Sequence, residues 1–361
     1  MDRKERVWHA VHHQAPDRVP IDYSARPEVS AALRTHLGLA SQDDLLAYLD
    51  ADFRYIEPRE VIYDRQRYQG PPLRTFPDDS WEDIWGVRRV RLIVANGAYD
   101  EVCAAPLAHA TTVEEVEAHR WPTPDWFDYR DAPAQCRRYA GYALVGGGWG
   151  AIFGDAYRLQ GLQTFLMNMA ERPEVAQAII DRVARFYYGV NERIFDAAAV
   201  AAADSGPGLD IFYFGNDFGT QRALLLSPRM YRQFFAAGIA RLAGQAKERG
   251  MAVMYHSCGA VHALIPDFIA AGIDILDPVQ AQAVDMDPLA LKAEFGSRIC
   301  FHGGIDTQRL LPFATPAAVQ ARVRQIAEAV GANGGYILAP DQSLQGDIPV
   351  ENILAMYTAL L

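Results

Sequence analysis

Met251-Ala252-Val253-Met254-Tyr255-His256-Ser257-Cys258-Gly259 is the stretch from which the fold is read. An apolar run of strand length ends in an imidazole, a thiol and a glycine, so a buried strand delivers chemistry from its C-terminal end. In extended backbone the Cβ direction alternates, so His256 and Cys258 point to one side and can face one cavity.

Working outward, the same kind of run recurs between helical patterns: Val19 to Tyr23, Phe53 to Glu57, Tyr142 to Val145, Ile211 to Phe214, Ala252 to Tyr255, Ile273 to Leu276, Ile299 to Phe301 and Tyr336 to Leu338. Strands alternating with helices imply right-handed crossovers and a parallel sheet, and eight of them close a ring. The expected fold class is therefore α/β, a single (β/α)8 TIM barrel spanning 1–361. The helices carry start signals: Arg172-Pro173-Glu174 opens a 3.6-residue apolar pattern, and Ser227-Pro228 and Thr315-Pro316 each set an N-cap before proline at the first helical position. Residues 69–128 break the rhythm with Pro71-Pro72, Asp83-Ile84-Trp85-Gly86 and the alternating Val87-Arg88-Arg89-Val90-Arg91-Leu92. They are expected to be an inserted hairpin or lid segment over the barrel mouth.

Composition narrows the function. The 361 residues are 50% apolar, ample for a large core, and the formal charge of −11 offers no basic footprint for nucleic acid or an anionic membrane surface. No apolar stretch approaches the ~20 residues that span a bilayer, and no signal core follows the N-terminus, so a cytoplasmic location is expected. Four cysteines without close spacing argue for reduced thiols rather than a disulfide framework.

In a parallel barrel the loops after the strands carry the chemistry. Those loops hold Asp22, Tyr23 and Arg26; Glu57 and Arg59; Gly146-Gly147-Gly148-Trp149; Asn216-Asp217; His256 and Cys258; Asp277, Gln280 and Gln282; His302-Gly303-Gly304-Ile305-Asp306; and Asp341-Gln342. Polar and titratable groups thus converge on one mouth. A nitrogen and a sulfur ligand on one face suit zinc, with Asp341, His302, Asp217 and Glu57 as candidates for a third ligand. The alternative is that His256 hydrogen-bonds a carboxylate while Cys258 packs as a small apolar residue. Asp217 fits an orienting, acid–base or helix-capping role, and the triple glycine lacks the Lys-Ser/Thr ending of a phosphate loop.

Taken together, Asp17-Arg18-Val19-Pro20, Asp83-Ile84-Trp85-Gly86, Asn216-Asp217-Phe218-Gly219-Thr220-Gln221, His256-Ser257-Cys258-Gly259, Ile275-Leu276-Asp277-Pro278-Val279-Gln280, Phe301-His302-Gly303-Gly304-Ile305-Asp306, Ile337-Leu338-Ala339-Pro340 and Pro349-Val350-Glu351-Asn352-Ile353 make the chain resemble the uroporphyrinogen decarboxylase superfamily, within it the corrinoid-linked methyltransferase branch. The resemblance implies zinc held by His256, Cys258 and a later cysteine, with methyl transfer to or from cobalamin on a separate corrinoid protein. The later cysteine falls at about Gln342, a departure that leaves Asp341 as the expected third ligand. It also implies Asp217, His302 and Tyr23 as catalytic residues. Arg26, Glu57, Trp149, Asn216, Gln280 and Asp306 are then the substrate-binding residues, for a small O- or N-methylated substrate or a thiol acceptor. The segment Arg18 to Arg26 lacks the Arg-Gln-Ala-Gly-Arg-Tyr run with which the decarboxylases hold their polycarboxylate substrate, and keeps Arg26 alone. A cofactor-free decarboxylase and a catalytically degenerate binding barrel are the alternatives, and a homodimer is possible by the same resemblance.

Overall fold

In the computed structural model, which describes residues 1–59, 61–94, 97–203 and 208–360, the strands are β1 (Phe53–Tyr55), β2 (Trp81–Glu82), β3 (Arg88–Val94), β4 (Gly97–Ala104), β5 (Ala143–Trp149), β6 (Ile211–Gly215), β7 (Ala252–His256), β8 (Ile275–Val279), β9 (Cys300–Ile305) and β10 (Tyr336–Pro340). Seven of them form one curled parallel sheet in the order β1-β5-β6-β7-β8-β9-β10, every neighbour reached through a helical connection. Alternate residues point inward and meet in one apolar cluster: Phe53, Ala143, Val145, Ile211, Ala252, Met254, Ile275, Cys300 and Ile337. Val7 and Val11 of the helix Arg3–Val11 join this cluster, and Gly335 N, just before β10, donates to Ala10 O, which docks that helix at the N-terminal end of the strands. The opposite parity faces the surrounding helices in a second core.

The expected eight-stranded ring is corrected to seven strands. Val19 to Tyr23 contributes a single bridge, Ile21 to Leu338, between the sheet edges β10 and β1, with Asp22 N donating to Leu338 O and Asp52 N to Ile21 O. Two features stop the ladder there. Pro20 has no N–H to donate, and Ile21 N gives its proton to the Asp52 carboxylate (2.8 Å) instead of a strand partner. Two other boundaries shift. β8 begins at Ile275 rather than Ile273, while β5 runs on through the glycines to Trp149. Gly147 has φ +140°, and a Cβ there would sit 2.7 Å from Tyr213 O, so only glycine lets β5 and β6 pair at this point.

The expected helix starts are present: Ser227 accepts from Met230 N and Thr315 from Ala318 N. The helix Pro173–Ala203 buries Val175, Ile179, Ile180, Val183, Phe186, Tyr187 and Val190 along one stripe. Within residues 69–128, β2, β3 and β4 form a separate antiparallel sheet. Trp85 anchors it on the long helix, with ring centres 4.9 Å from Phe186 and 6.0 Å from Tyr187, and the Asp83–Arg89 ion pair (2.8 Å) lies buried beside it. The hairpin also reaches Arg26, whose guanidinium lies over the Tyr99 ring. Among the described residues no helix is long and apolar enough to cross a membrane.

Candidate functional site

The parity that buries the apolar layers continues to the C-terminal ends of the strands, where the inward residues become Tyr55, Tyr213, His256, Asp277 and His302. These five, with Asp22, make one connected network. His256 Nδ1 lies 2.7 Å from Asp277 Oδ2, which also accepts from Tyr213 OH (2.6 Å). The other Asp277 oxygen sits 2.6 Å from His302 Nδ1, a charge contact without hydrogen-bond alignment. His302 Nε2 then meets Asp22 Oδ2 at 3.0 Å, and Tyr55 OH donates to the same oxygen at 2.6 Å.

Burial opposes charge on each of these groups, yet the contacts overcome it for the imidazoles. Burial lowers the His302 pKa, but the Asp277 and Asp22 charges outweigh it and lift the pKa to about 10. For His256 burial is likewise outweighed, by Cys258, Asp217 and Asp277, and the pKa rises well above the ordinary value. Asp277 is correspondingly held far below the carboxylate range, its burial offset by the two imidazoles. Tyr55 and Tyr213 rise well above 10, through burial first and the adjacent carboxylates second.

The outward side of His256 faces the thiol. Its Nε2 is 3.1 Å from Cys258 Sγ and 3.4 Å from Asp217 Oδ1, while Asp217 Oδ1 also accepts from Cys258 N (3.0 Å). Asp217, His256 and Cys258 are the group among the described residues whose ligand atoms lie close enough together to share one metal ion. Gln342 Nε2 approaches the Cys258 sulfur at 3.4 Å. Gly259, with φ +85°, lets the loop turn against Thr220, whose carbonyl would lie 2.5 Å from any Cβ there. Gln280 holds that turn by accepting from Gly259 N (2.7 Å) and from Gln221 Nε2 (3.1 Å).

The structure sorts the remaining expected residues. Trp149 stands over the site with a positive φ of +76°, its ring 5.2 Å from His256 and 5.3 Å from Tyr213. A bulky residue in that backbone region is strained, and here the strain aims the indole at the site. Asp341 is not brought to the thiol pair: its Oδ1 accepts from Thr307 N (2.9 Å) and Thr307 Oγ1 (2.7 Å). Tyr23 turns away, its hydroxyl 2.9 Å from Ser30 Oγ, so its neighbour Asp22 is the group that enters the network. Asn216 bonds Phe153 N, Asp306 caps the turn at Gln308 and Arg309, and Glu57 accepts from Arg59 N. Arg26 is half-buried, beside Glu28 and over the Tyr99 ring. Tyr55 and Tyr213 were not among the expected site residues, and Asp22 and Asp277, expected at the mouth, had no role assigned to them. The signal that finds them is parity with His256 and His302, counted back from each strand end.

The model of the family described as "Uroporphyrinogen decarboxylase (URO-D)" matches residues 108–360. No curated protein matches the chain significantly in sequence. Among solved structures, a methyltransferase from Methanosarcina mazei superposes with a TM-score of 0.65 at 16% identity, covering 99% of this chain and 98% of that one. The sequence match, over a fold of the same architecture, settles the family: this chain belongs to the uroporphyrinogen decarboxylase family.

Proposed function

We propose that this chain is a methyltransferase whose zinc site is formed by Asp217, His256 and Cys258, acting on a small methylated substrate together with a corrinoid protein. The observation that carries the reading is the disposition around His256. One ring nitrogen is tied to a buried carboxylate and the other is turned to a thiol and a second carboxylate. A carboxylate behind a histidine fixes the tautomer and ring orientation that metal ligation needs. Tetrahedral zinc with bonds of about 2.0–2.3 Å places its ligand atoms about 3.3–3.7 Å apart; the 3.4 Å between His256 and Asp217 lies in that range, and the 3.1 Å between His256 and Cys258 is a few tenths of an ångström short of it. Three protein ligands of N, S and O type leave one position open, the pattern of catalytic rather than structural zinc.

Bound there, zinc would supply Lewis acidity, lowering the pKa of a coordinated thiol or polarising a substrate heteroatom. The chain's own residues do the rest. Asp277 orients His256, Gln280 fixes the loop that carries Cys258, and the Gln342 amide contacts the sulfur from the side where the family's later cysteine is expected. Trp149 sets its indole against the His256 ring, 5.2 Å between centres, and so limits how a substrate can approach it. The name of the solved neighbour from Methanosarcina mazei supports methyl transfer, and the family includes decarboxylases as the other reading. The segment Arg18 to Arg26, which lacks the arginine-rich run of the decarboxylases, speaks against a polycarboxylate substrate. The test is methyl transfer from a panel of methylated compounds to reduced cobalamin, followed by its absorbance. Wild type should turn over and Cys258→Ala should lose at least ~100-fold, whereas full activity in Cys258→Ala would remove the thiol from the mechanism.

A further inference from the structure

The loop that follows β10 reaches the candidate metal group through Gln342, whose Nε2 lies 3.4 Å from Cys258 Sγ. Which end of the amide faces the sulfur is fixed by its other contact. Gln342 Oε1 accepts from Ser343 N (3.1 Å), and a backbone N–H can bond only to the amide oxygen, so the nitrogen is the end at the sulfur and its N–H donates. That loop is itself held: Leu344 N donates to Ser24 O (2.9–3.0 Å class of backbone bond), and Ser343 Oγ lies 2.9 Å from Ser24 Oγ. The oxygen is the atom with which an amide ligates a cation, and here it is engaged with Ser343, so Gln342 adds no ligand to Asp217, His256 and Cys258.

We propose that Gln342 is a positioning residue that tunes the Cys258 sulfur through an N–H···S hydrogen bond, and that this bond suits the site to donors carrying the methyl group on oxygen rather than to thiol acceptors; this rests on the zinc and methyl-transfer reading above. A hydrogen bond to a ligating sulfur draws off part of the charge that the sulfur gives to its metal, as it does at sulfur-ligated redox centres. The ligand group here contains one sulfur, and Gln342 takes charge from it. A metal held in this way is electron-poor and pulls on the lone pair of a leaving oxygen. Making a bound thiol nucleophilic asks for the opposite, a ligand set rich in donated charge. An alkylammonium, with no lone pair on its nitrogen, has nothing to offer such a centre. In the transfer the C–O bond breaks with its electron pair on oxygen, the methyl carbon bonds to the electron pair of a reduced corrinoid, and the released oxygen takes a proton from water.

The test is the electronic spectrum of the full chain loaded with cobalt(II) in place of zinc, with Cys258→Ala as baseline. The sulfur-to-cobalt charge-transfer band in the near ultraviolet reports the charge on the Cys258 sulfur, and the visible ligand-field bands report the number of ligands. Removing the N–H raises the energy of the sulfur electrons, so Gln342→Leu should move the charge-transfer band to longer wavelength and leave the ligand-field intensity as in wild type. Gln342→Glu still accepts from Ser343 N and keeps the loop anchored, but its carboxylate has no proton to give, so its band should move the same way. A band that stays in place in both variants, or moves to shorter wavelength, overturns the proposal. So does wild type that methylates 2-mercaptoethanol from methylcobalamin faster than it demethylates 2-methoxyphenol. Because the spectrum needs no turnover, the expected shift in protein that transfers no methyl group would fault the methyl-transfer reading alone. Wild type without any sulfur-to-cobalt band would remove the metal assignment and the role of Gln342 together.

Discussion

Asp277 ties the two histidines of the site together: one buried carboxylate meets both imidazoles and a phenol. Replacing it by asparagine keeps the shape but removes the charge behind His256. Zinc affinity is expected to fall ~10–100-fold in Asp277→Asn, read by competition with a chromogenic chelator, and an unchanged affinity would show that the carboxylate does not support the ligand. Asp341 makes a contrasting case. Its burial, only partly relieved by Thr307 and aggravated by Asp306, lifts its pKa to about 6 from an unfolded value of 3.8. The native state therefore holds the proton more tightly than the unfolded chain, and stability is lost as pH rises between those two values. The amide oxygen introduced by Asp341→Asn would still accept the Thr307 bonds without the charge. The variant should match wild type near pH 4 and exceed it by about 2 kcal/mol above pH 7, measured by urea denaturation across that range. A difference independent of pH would contradict the assignment.

At the level of elements, the junction between the sheet edges depends on Asp52. Its buried carboxylate receives Arg6 (2.7 Å), Arg18 (2.8 Å) and Ile21 N (2.8 Å). Asp52→Ala leaves two cations and an amide short of their partner, and a loss of about 3–5 kcal/mol is expected, read as a lowered thermal midpoint. A loss under ~1 kcal/mol would mean that the edge closes without it. The same place shows what the sequence can and cannot disclose. The apolar runs from Phe53 to Leu338 announced seven strands, because burial on both faces of a parallel sheet writes itself into local composition. The run at Val19 to Tyr23 looked alike, but its ladder is replaced by a carboxylate 31 residues further along, which no local pattern contains. His256 and Cys258 were legible as a pair because they share one loop. Asp22, Tyr55, Tyr213 and Asp277 come together only through the register of separate strands, and the choice of Asp217 rather than Asp341 beside the thiol depends on how two loops fold back.

Across the whole molecule, Trp85 is one of the buried side chains that join the antiparallel insert to the sheet-bearing body, packed between Phe186, Tyr187 and Trp121. Trp85→Ala should cost about 3–5 kcal/mol and expose residues 69–128 to proteolysis ahead of the remainder. Trp85→Phe should cost less, since the indole N–H has no partner to lose. Uniform proteolysis would show that the insert and body unfold as one. The apolar interior, the network above it and the exposed Asp217 form a gradient along the strands, from packing at the N-terminal end to chemistry at the mouth. The claim on which the functional account stands is that this mouth binds zinc through Asp217, His256 and Cys258. The direct measurement is zinc content by elemental mass spectrometry, on protein purified without chelator and with zinc supplied, for wild type, His256→Ala, Cys258→Ala, Asp217→Ala and Asp341→Ala. The account predicts near one zinc per chain in wild type and Asp341→Ala and little in the other three. Zinc-free wild type, or zinc retained without His256 and Cys258, would contradict it.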